Sequence, residues 1–100
     1  MRKIKLFCAG GLSTSLLVNK MKAAALADNY DVDISAHPTI ELETKGADAD
    51  IILLGPQVRT SIQDVSAMYP GKKVMVVDMV AYGMIDGKTI LAQAKKLLGD

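Results

Sequence analysis

The sequence has few of the residues that cross-link small proteins through disulfides or that bind nucleic acids. It contains one cysteine and no tryptophan, and its only aromatic residues are three tyrosines and one phenylalanine. A single cysteine cannot form an internal disulfide, which indicates a reducing compartment. The net charge of +1 and the lack of a basic stripe interleaved with aromatic side chains argue against a nucleic-acid partner.

Long apolar runs are missing as well. None approaches the roughly 18 residues of a membrane-spanning helix. The basic residues Arg2, Lys3 and Lys5 are not followed by the apolar core of a secretory signal. No histidine, cysteine or carboxylate cluster has the spacing of metal ligands. We therefore expect a cytoplasmic protein without a membrane segment, a metal site or a cofactor.

The chain does contain the material for one apolar core. Half of its 100 residues are hydrophobic, which is enough for a single domain without disulfides or metals. We predict one domain over residues 1–100.

Strand-like and helix-like periodicities alternate along the chain. Strands are predicted at 3–8, 30–36, 50–54 and 73–77, with helices after the first, third and fourth and a short helical turn at 39–43. A loop is expected at 78–86, His37-Pro38 should end the second strand, and Ser13 or Thr14 should cap the first helix. This alternation predicts an α/β fold, a flavodoxin-like open sandwich. Its four-stranded parallel sheet should have strand order 2-1-3-4 and helices on both faces.

The cysteine lies where the first strand runs into a turn rich in glycine and hydroxyl groups. After Cys8 the sequence reads Ala9-Gly10-Gly11-Leu12-Ser13-Thr14-Ser15. In the predicted sheet the strand order reverses beside strand 1, and ligands bind at the carboxyl ends of strands at such a point. Backbone N–H groups at a helix N-terminus bind phosphate and favour a thiolate. We predict Cys8 as the nucleophile and Ala9 to Ser15 as a phosphate-binding loop.

The residue in the Thr14 position separates two kinds of chemistry. Cysteine phosphatases have an arginine there, whose guanidinium grips the phosphate. Without it, a loop of backbone and hydroxyl donors suits a phosphocysteine that is passed on. Two alternatives stay open: a cysteine-dependent phosphatase or arsenate-reductase-like enzyme, and a non-catalytic binding or regulatory module in which Cys8 is structural.

Side chains at the other strand ends are candidates for the rim of this site. They are Gln57, Asp78 and Tyr82, although an aspartate in the place of Asp78 often caps the next turn. His37, the only histidine, is interpreted as a solvated turn residue. A mixed apolar surface for partner docking is predicted from Leu12, Val58, Arg59, Ala81, Tyr82 and Met84.

The chain resembles the enzyme IIB component of the lactose/cellobiose/chitobiose branch of the bacterial phosphoenolpyruvate:sugar phosphotransferase system. The resemblance covers the whole chain. Its most specific parts are Leu6-Phe7-Cys8-Ala9-Gly10-Gly11-Leu12-Ser13-Thr14-Ser15-Leu16-Leu17 and Ala49-Asp50-Ile51-Ile52-Leu53-Leu54-Gly55-Pro56-Gln57, with Tyr82-Gly83 and Asp86-Gly87. Family members usually carry methionine in place of Leu12 and one glycine fewer in the turn.

The resemblance implies a role for each matching position. Cys8 would accept a phosphoryl group from a phosphohistidine of the partner protein IIA. It would donate that group to a sugar, such as cellobiose, chitobiose or lactose, bound by the membrane component IIC. The backbone from Ala9 to Ser15 would hold the phosphate. The protein would be cytoplasmic and would reach the inner face of the membrane only through IIC.

Overall fold

The computed structural model describes residues 1–9 and 12–100, without the side chains of Leu12 and Ser13. Within these residues, strands and helices alternate. The strands are β1 (Arg2–Cys8), β2 (Val32–Pro38), β3 (Ile51–Leu54) and β4 (Lys73–Val76). The helices are α1 (Leu12–Ala27), α2 (Leu42–Lys45), α3 (Ile62–Met68), α4 (Met79–Gly83) and α5 (Gly87–Leu98). Short 3-10 segments, Thr39–Glu41 and Pro56–Ser61, precede α2 and α3.

All four strands are parallel and their order is β2-β1-β3-β4, which confirms the predicted topology. The central strand β1 pairs with β2 up to Cys8↔Pro38 and with β3 up to Phe7↔Leu54. Because the carboxyl ends of parallel strands meet at one edge, the chain segments that follow β1, β3 and β4 all start at that edge.

Apolar side chains fill both faces of the sheet. One face packs against α1 and α5, and its buried residues include Ile4, Leu6, Met21 and Ile90. The other face packs around Phe7, and its buried residues include Leu42, Ile52, Leu54 and Val65. Each of the larger side chains contributes about 1.5–3 kcal/mol when fully buried. Successive residues of β3 face the two apolar layers alternately. Because both layers are apolar, the strand is an uninterrupted apolar run.

The second strand ends at Pro38, as predicted, but it includes His37 and Pro38 and is therefore two residues longer at this end than expected. The N–H of Arg2 donates to the carbonyl of Asp31, and the alternation of a parallel ladder then turns the backbone nitrogen of Pro38 away from β1. Proline is tolerated on an edge strand when its nitrogen faces outward, since no ladder hydrogen bond is lost.

The segment 78–86, expected to be a loop, contains the helix α4. Aspartates precede both α4 and the helix after it: the Asp78 carboxylate accepts from the N–H of Ala81 at 2.9 Å, and Asp86 accepts from the N–H of Thr89 at 3.1 Å. Ile85, between the two helices, has a φ of 53°, a conformation that is rare and strained for a β-branched residue. A helix of five residues is too short for hydrophobic periodicity to reveal it.

A partly buried lysine ties β1 to the segment before β3. The Lys5 side chain is only 11% exposed; its ammonium donates to the carbonyl of Lys45 at 2.8 Å and to the carboxylate of Asp48. Hydrogen bonds from Lys5 and Lys3 lower the pKa of Asp48 from 3.8 to about 2. An ammonium removed from water requires such partners, so this ion pair matters more than one on the open surface.

We predict that Asp48→Asn removes part of the acid dependence of folding. Because the pKa of Asp48 is depressed in the folded state, its stabilising contribution is complete above pH 3.8 and is lost as the pH falls toward about 2. Urea unfolding of both proteins between pH 2 and pH 7 should show a lower stability of the variant at neutral pH and a smaller difference at pH 2. Asp64→Asn, at an exposed position in α3, is the control; equal acid dependence of Asp48→Asn and wild type would contradict the prediction.

Candidate functional site

The single cysteine is the last residue of the central strand. Cys8 pairs in register with Pro38 of β2, and its residue is 2% exposed. Leu6, two residues earlier, packs on the face covered by α1 and α5, and strand alternation sends the Cys8 side chain toward the same face. The thiol therefore lies under the first turn of α1, at the edge where the strands end.

The hydroxyl of Thr14 lies directly beside the thiol. Its Oγ1 is 2.7 Å from Sγ of Cys8, and the Thr14 residue is 4% exposed. Because α1 already begins at Leu12, the prediction that Ser13 or Thr14 caps this helix is wrong, and Thr14 lies within its first turn. A threonine at this position directs its hydroxyl back toward the end of β1 instead of toward a helix N–H.

The other predicted loop residues are described unequally. Ala9 and Ser15 are exposed on either side of the turn. Gly10 and Gly11, and the side chains of Leu12 and Ser13, lie outside the described residues. The phosphate-binding loop stays a prediction.

Tyr82 of α4 joins this group from the far end of the sequence. Its hydroxyl is 3.1 Å from Oγ1 of Thr14, so three side chains form a continuous chain of contacts from Cys8 through Thr14 to Tyr82. Sequence reasoning named Tyr82 and Thr14 separately, and no local pattern indicates their contact. Asp78, also predicted for the rim, instead uses its carboxylate to cap α4.

The turn after β3 forms a second wall of the site. The N–H of Gly55 donates to the carbonyl of Phe7 at 2.9 Å. A Cβ atom on Gly55 would lie 2.9 Å from Cβ of Cys8 and 2.8 Å from Oε1 of Gln57, so both side chains border the space beside Gly55. Glycine is needed here because the two strand ends approach too closely for a side chain.

A shallow groove of about 270 Å³ extends from this wall to α4. It is lined by Pro56, Gln57, Arg59, Met79, Tyr82 and Gly83. The guanidinium of Arg59 donates to the carbonyl of Pro56 at 3.1 Å, which holds this side chain over the groove. Ala81, predicted for the docking surface, is buried in the core, so that prediction is wrong for Ala81.

The interpretation of His37 as a solvated turn residue is also wrong. Its side chain is 18% exposed and stacks at 5.4 Å between ring centroids on Phe7. Nε2 lies 2.8 Å from the hydroxyl of Ser35, and Nδ1 lies 3.4 Å from the carboxylate of Glu41. These partners explain the burial, and they hold His37 on the face of the sheet opposite to the Cys8 side chain.

In the part of the chain that the structure describes, no three or more His, Cys, Asp and Glu side chains come together as a metal site. None of the helices in these residues has both the length and the apolar content that crossing a membrane requires.

Comparison with known proteins identifies the family. The model of the family "PTS system, Lactose/Cellobiose specific IIB subunit" matches residues 3–93. The chain belongs to this family. It is a phosphotransferase component, as the sequence resemblance predicted.

Relatives of known specificity match over nearly their whole length. The oligo-beta-mannoside-specific EIIB component of Bacillus subtilis (strain 168) is 40% identical over 101 residues, covering 98% of this chain and 97% of that protein. The galactose-specific EIIB component of Lactococcus lactis subsp. cremoris (strain MG1363) is 39% identical over 102 residues, covering 95% and 94%.

Solved structures support the same fold. The cellobiose-specific IIB component of Borrelia burgdorferi superposes with a TM-score of 0.81 at 26% identity, covering 98% of this chain and 92% of that one. The lactose-specific IIB component domain from Streptococcus pneumoniae has a TM-score of 0.85 at 18% identity and covers 95% of each chain. At that identity the second likeness concerns the fold alone.

We predict that Gly55→Ala displaces Cys8. The Gln57 side chain can rotate away from the new methyl group, but Cβ of Cys8 belongs to a paired strand end and cannot. Overpacking of this kind costs about 1–3 kcal/mol, which urea unfolding would measure together with the rate of thiol alkylation. Gly83→Ala is the matched control, because no described atom outside the adjoining chain lies within 4 Å of its added Cβ. Equal stability and equal alkylation in the two variants would contradict the prediction.

Proposed function

We propose that this protein is a phosphocarrier in which Cys8 is phosphorylated during sugar uptake. The observation that carries the proposal is the position of Cys8, at the carboxyl end of the central strand with its thiol against the Thr14 hydroxyl in the first turn of α1. That position is the ligand-binding edge of an open parallel sheet. Membership of the IIB family supports the same role.

Two transfers complete the proposed cycle. In the first, the Cys8 thiolate attacks the phosphorus of a phosphohistidine on IIA; the S–P bond forms, the N–P bond breaks, and the imidazole nitrogen keeps the electron pair. In the second, a sugar hydroxyl attacks the phosphocysteine, the O–P bond forms and the S–P bond breaks. The thiolate recovers its electron pair, and the hydroxyl proton passes to a base of the sugar-binding component IIC.

The chemistry of the position after the turn favours a carrier over a phosphatase. Where a cysteine phosphatase has its arginine, this chain has Thr14, whose hydroxyl is buried against Sγ of Cys8 and the hydroxyl of Tyr82. Without a fixed guanidinium to stabilise the charge of a hydrolytic transition state, water attack is poorly catalysed. The phosphoryl group then survives long enough to reach its acceptor.

The names of the relatives suggest the sugars. The matched EIIB components are specific for oligo-beta-mannoside, galactose and cellobiose. We infer that this chain serves the uptake of a di- or oligosaccharide, with phospho-IIA as donor and a membrane IIC component as acceptor. It would act in the cytoplasm, at the inner face of the membrane when IIC is bound.

We predict that incubation with phosphorylated IIA adds the mass of one phosphoryl group to this protein. Because the thiol is the proposed acceptor, Cys8→Ser should carry no such adduct, and mass spectrometry of intact protein measures both. Wild type should release little phosphate from an aryl phosphate. Steady Cys8-dependent release would instead favour the phosphatase, and an adduct on Cys8→Ser would overturn the assignment of the acceptor.

The partners would meet an apolar rim beside the groove. Met79, Val80 and Met84 of the α4 segment are mostly exposed, and Arg59 projects from the opposite side of the groove. Transient signalling and transfer complexes bury small areas, and a rim of this kind is sufficient for one. Of the docking surface predicted from sequence, Arg59, Tyr82 and Met84 lie at this rim, whereas Ala81 is buried.

We predict that Arg59→Glu slows transfer from IIA without abolishing phosphorylation. Reversing a rim charge acts mainly on association, so kcat/KM for phospho-IIA should fall about tenfold while the final extent of phosphorylation is unchanged. Lys96→Glu, an equal charge reversal in the last turn of α5, is the control. Equal rates for both variants would place the donor on another surface.

A further inference from the structure

We propose that Tyr82 is a positioning residue for the reacting sulfur and acts through the hydroxyl of Thr14. The chain of contacts runs from Sγ of Cys8 to Oγ1 of Thr14 at 2.7 Å and on to the Tyr82 hydroxyl at 3.1 Å. The inference deepens the proposed function, since it concerns the thiolate that would accept and release the phosphoryl group.

The direction of these hydrogen bonds depends on the state of the thiol. A thiolate has no proton to donate, so the Thr14 hydroxyl must donate to Sγ. Its only proton is then used, and Oγ1 is left to accept from the Tyr82 hydroxyl. A neutral thiol can instead donate to Oγ1. Ionisation of Cys8 therefore selects one arrangement, in which Tyr82 donates to Thr14 and Thr14 donates to the sulfur, and hydrogen bonds to an ionised acceptor are the stronger ones.

The fold holds Tyr82 at the end of this chain. The adjacent Ala81 is buried in the core, and its N–H donates to the capping carboxylate of Asp78. The N–H of Ile85 donates to the carbonyl of Tyr82 at 3.1 Å while Ile85 has its strained positive φ. A conformation of this cost persists only where the surroundings impose it. The tyrosine hydroxyl is thus set against Thr14 by both ends of α4.

The hydroxyl chain would serve the second transfer most. When the S–P bond breaks, the electron pair returns to sulfur, and a donated O–H bond from Thr14 stabilises the negative charge that appears there. No proton crosses the chain, because Thr14 and Tyr82 keep theirs. Tyr82 lowers the cost of this arrangement by giving Oγ1 a donor in a site where water has little access.

The test that does not depend on phosphate is a titration of the thiolate by its absorbance at 240 nm. In each Tyr82 background the spectrum of Cys8→Ser is subtracted, which removes the tyrosine signal. Tyr82→Phe should shift the thiolate profile to higher pH and lower the thiolate fraction about three- to tenfold on its acid limb, in line with the loss of one hydrogen bond. Tyr69→Phe, whose hydroxyl binds the carbonyls of Leu42 and Glu43, is the matched control and should titrate like wild type.

A double-mutant cycle tests whether Tyr82 acts through Thr14. Thr14→Val removes the hydroxyl at nearly constant shape and should shift the profile at least as far as Tyr82→Phe, while Thr14→Ser should restore it. In the Thr14→Val background, Tyr82→Phe should have no further effect. An unchanged profile in Tyr82→Phe, or additive shifts in the double variant, would overturn the proposal.

Transfer kinetics separate this proposal from the carrier function. Tyr82→Phe should slow donation from phosphocysteine to sugar about three- to tenfold. The variant should accept a phosphoryl group from phospho-IIA at the wild-type rate once the pH is high enough for Cys8 to be ionised in both proteins. If Tyr82→Phe shifts the thiolate profile but the wild-type protein accepts no phosphate, the role of Tyr82 is supported and the carrier function is contradicted. If the protein is phosphorylated but Tyr82→Phe leaves the thiolate profile unshifted, the carrier function is supported and the role of Tyr82 is contradicted.

Discussion

The pairing of β1 with a strand on each side is the constraint on which the rest of the structure depends. It places Cys8 at the middle of the carboxyl edge, with Pro38 beside it on β2 and the turn after Leu54 on the other side. The two neighbouring strands fix the backbone of the cysteine before any side chain contributes. The first turn of α1, the glycine after β3 and the helix α4 then pack around a position that the sheet has already determined.

The ion pairs made by β1 involve Arg2, Lys3 and Lys5, whereas Cys8 is its last residue. These basic side chains pair with the carboxylates of Asp48 and Asp100, and the Asp50 carboxylate accepts from the backbone N–H of Lys3. Thr14 contacts Sγ of Cys8 and Tyr82 contacts Thr14, and both side chains are neutral. In the proposed function, neutral donors would hold the phosphoryl group less tightly than a guanidinium does, which suits a group that is passed on.

The parts of the fold with strong local signals could be predicted from sequence. The apolar run at Ile51–Leu54 predicted a strand covered on both faces, and the residues after Cys8 predicted the helix α1. The site itself was only partly accessible, because its contacts join residues far apart in the chain. Thr14 and Tyr82 are 68 positions apart, and His37 is partly covered by Phe7 of another strand. The helix α4 was not predicted, because Met79 and Val80 are apolar yet exposed and the hydrophobic pattern therefore does not indicate which face of the helix is buried.

The proline at the end of β2 also affects how this protein can associate with other chains. An edge strand offers its unpaired N–H and C=O groups to any passing chain, and extension of the sheet from there leads to swapped or aggregated assemblies. Pro38 removes the outward N–H at the level of Cys8, so strand addition cannot proceed along β2 beside the thiol. In the proposed function, the partner proteins would therefore approach the end of the sheet and separate again, with no shared β-structure to hold them together.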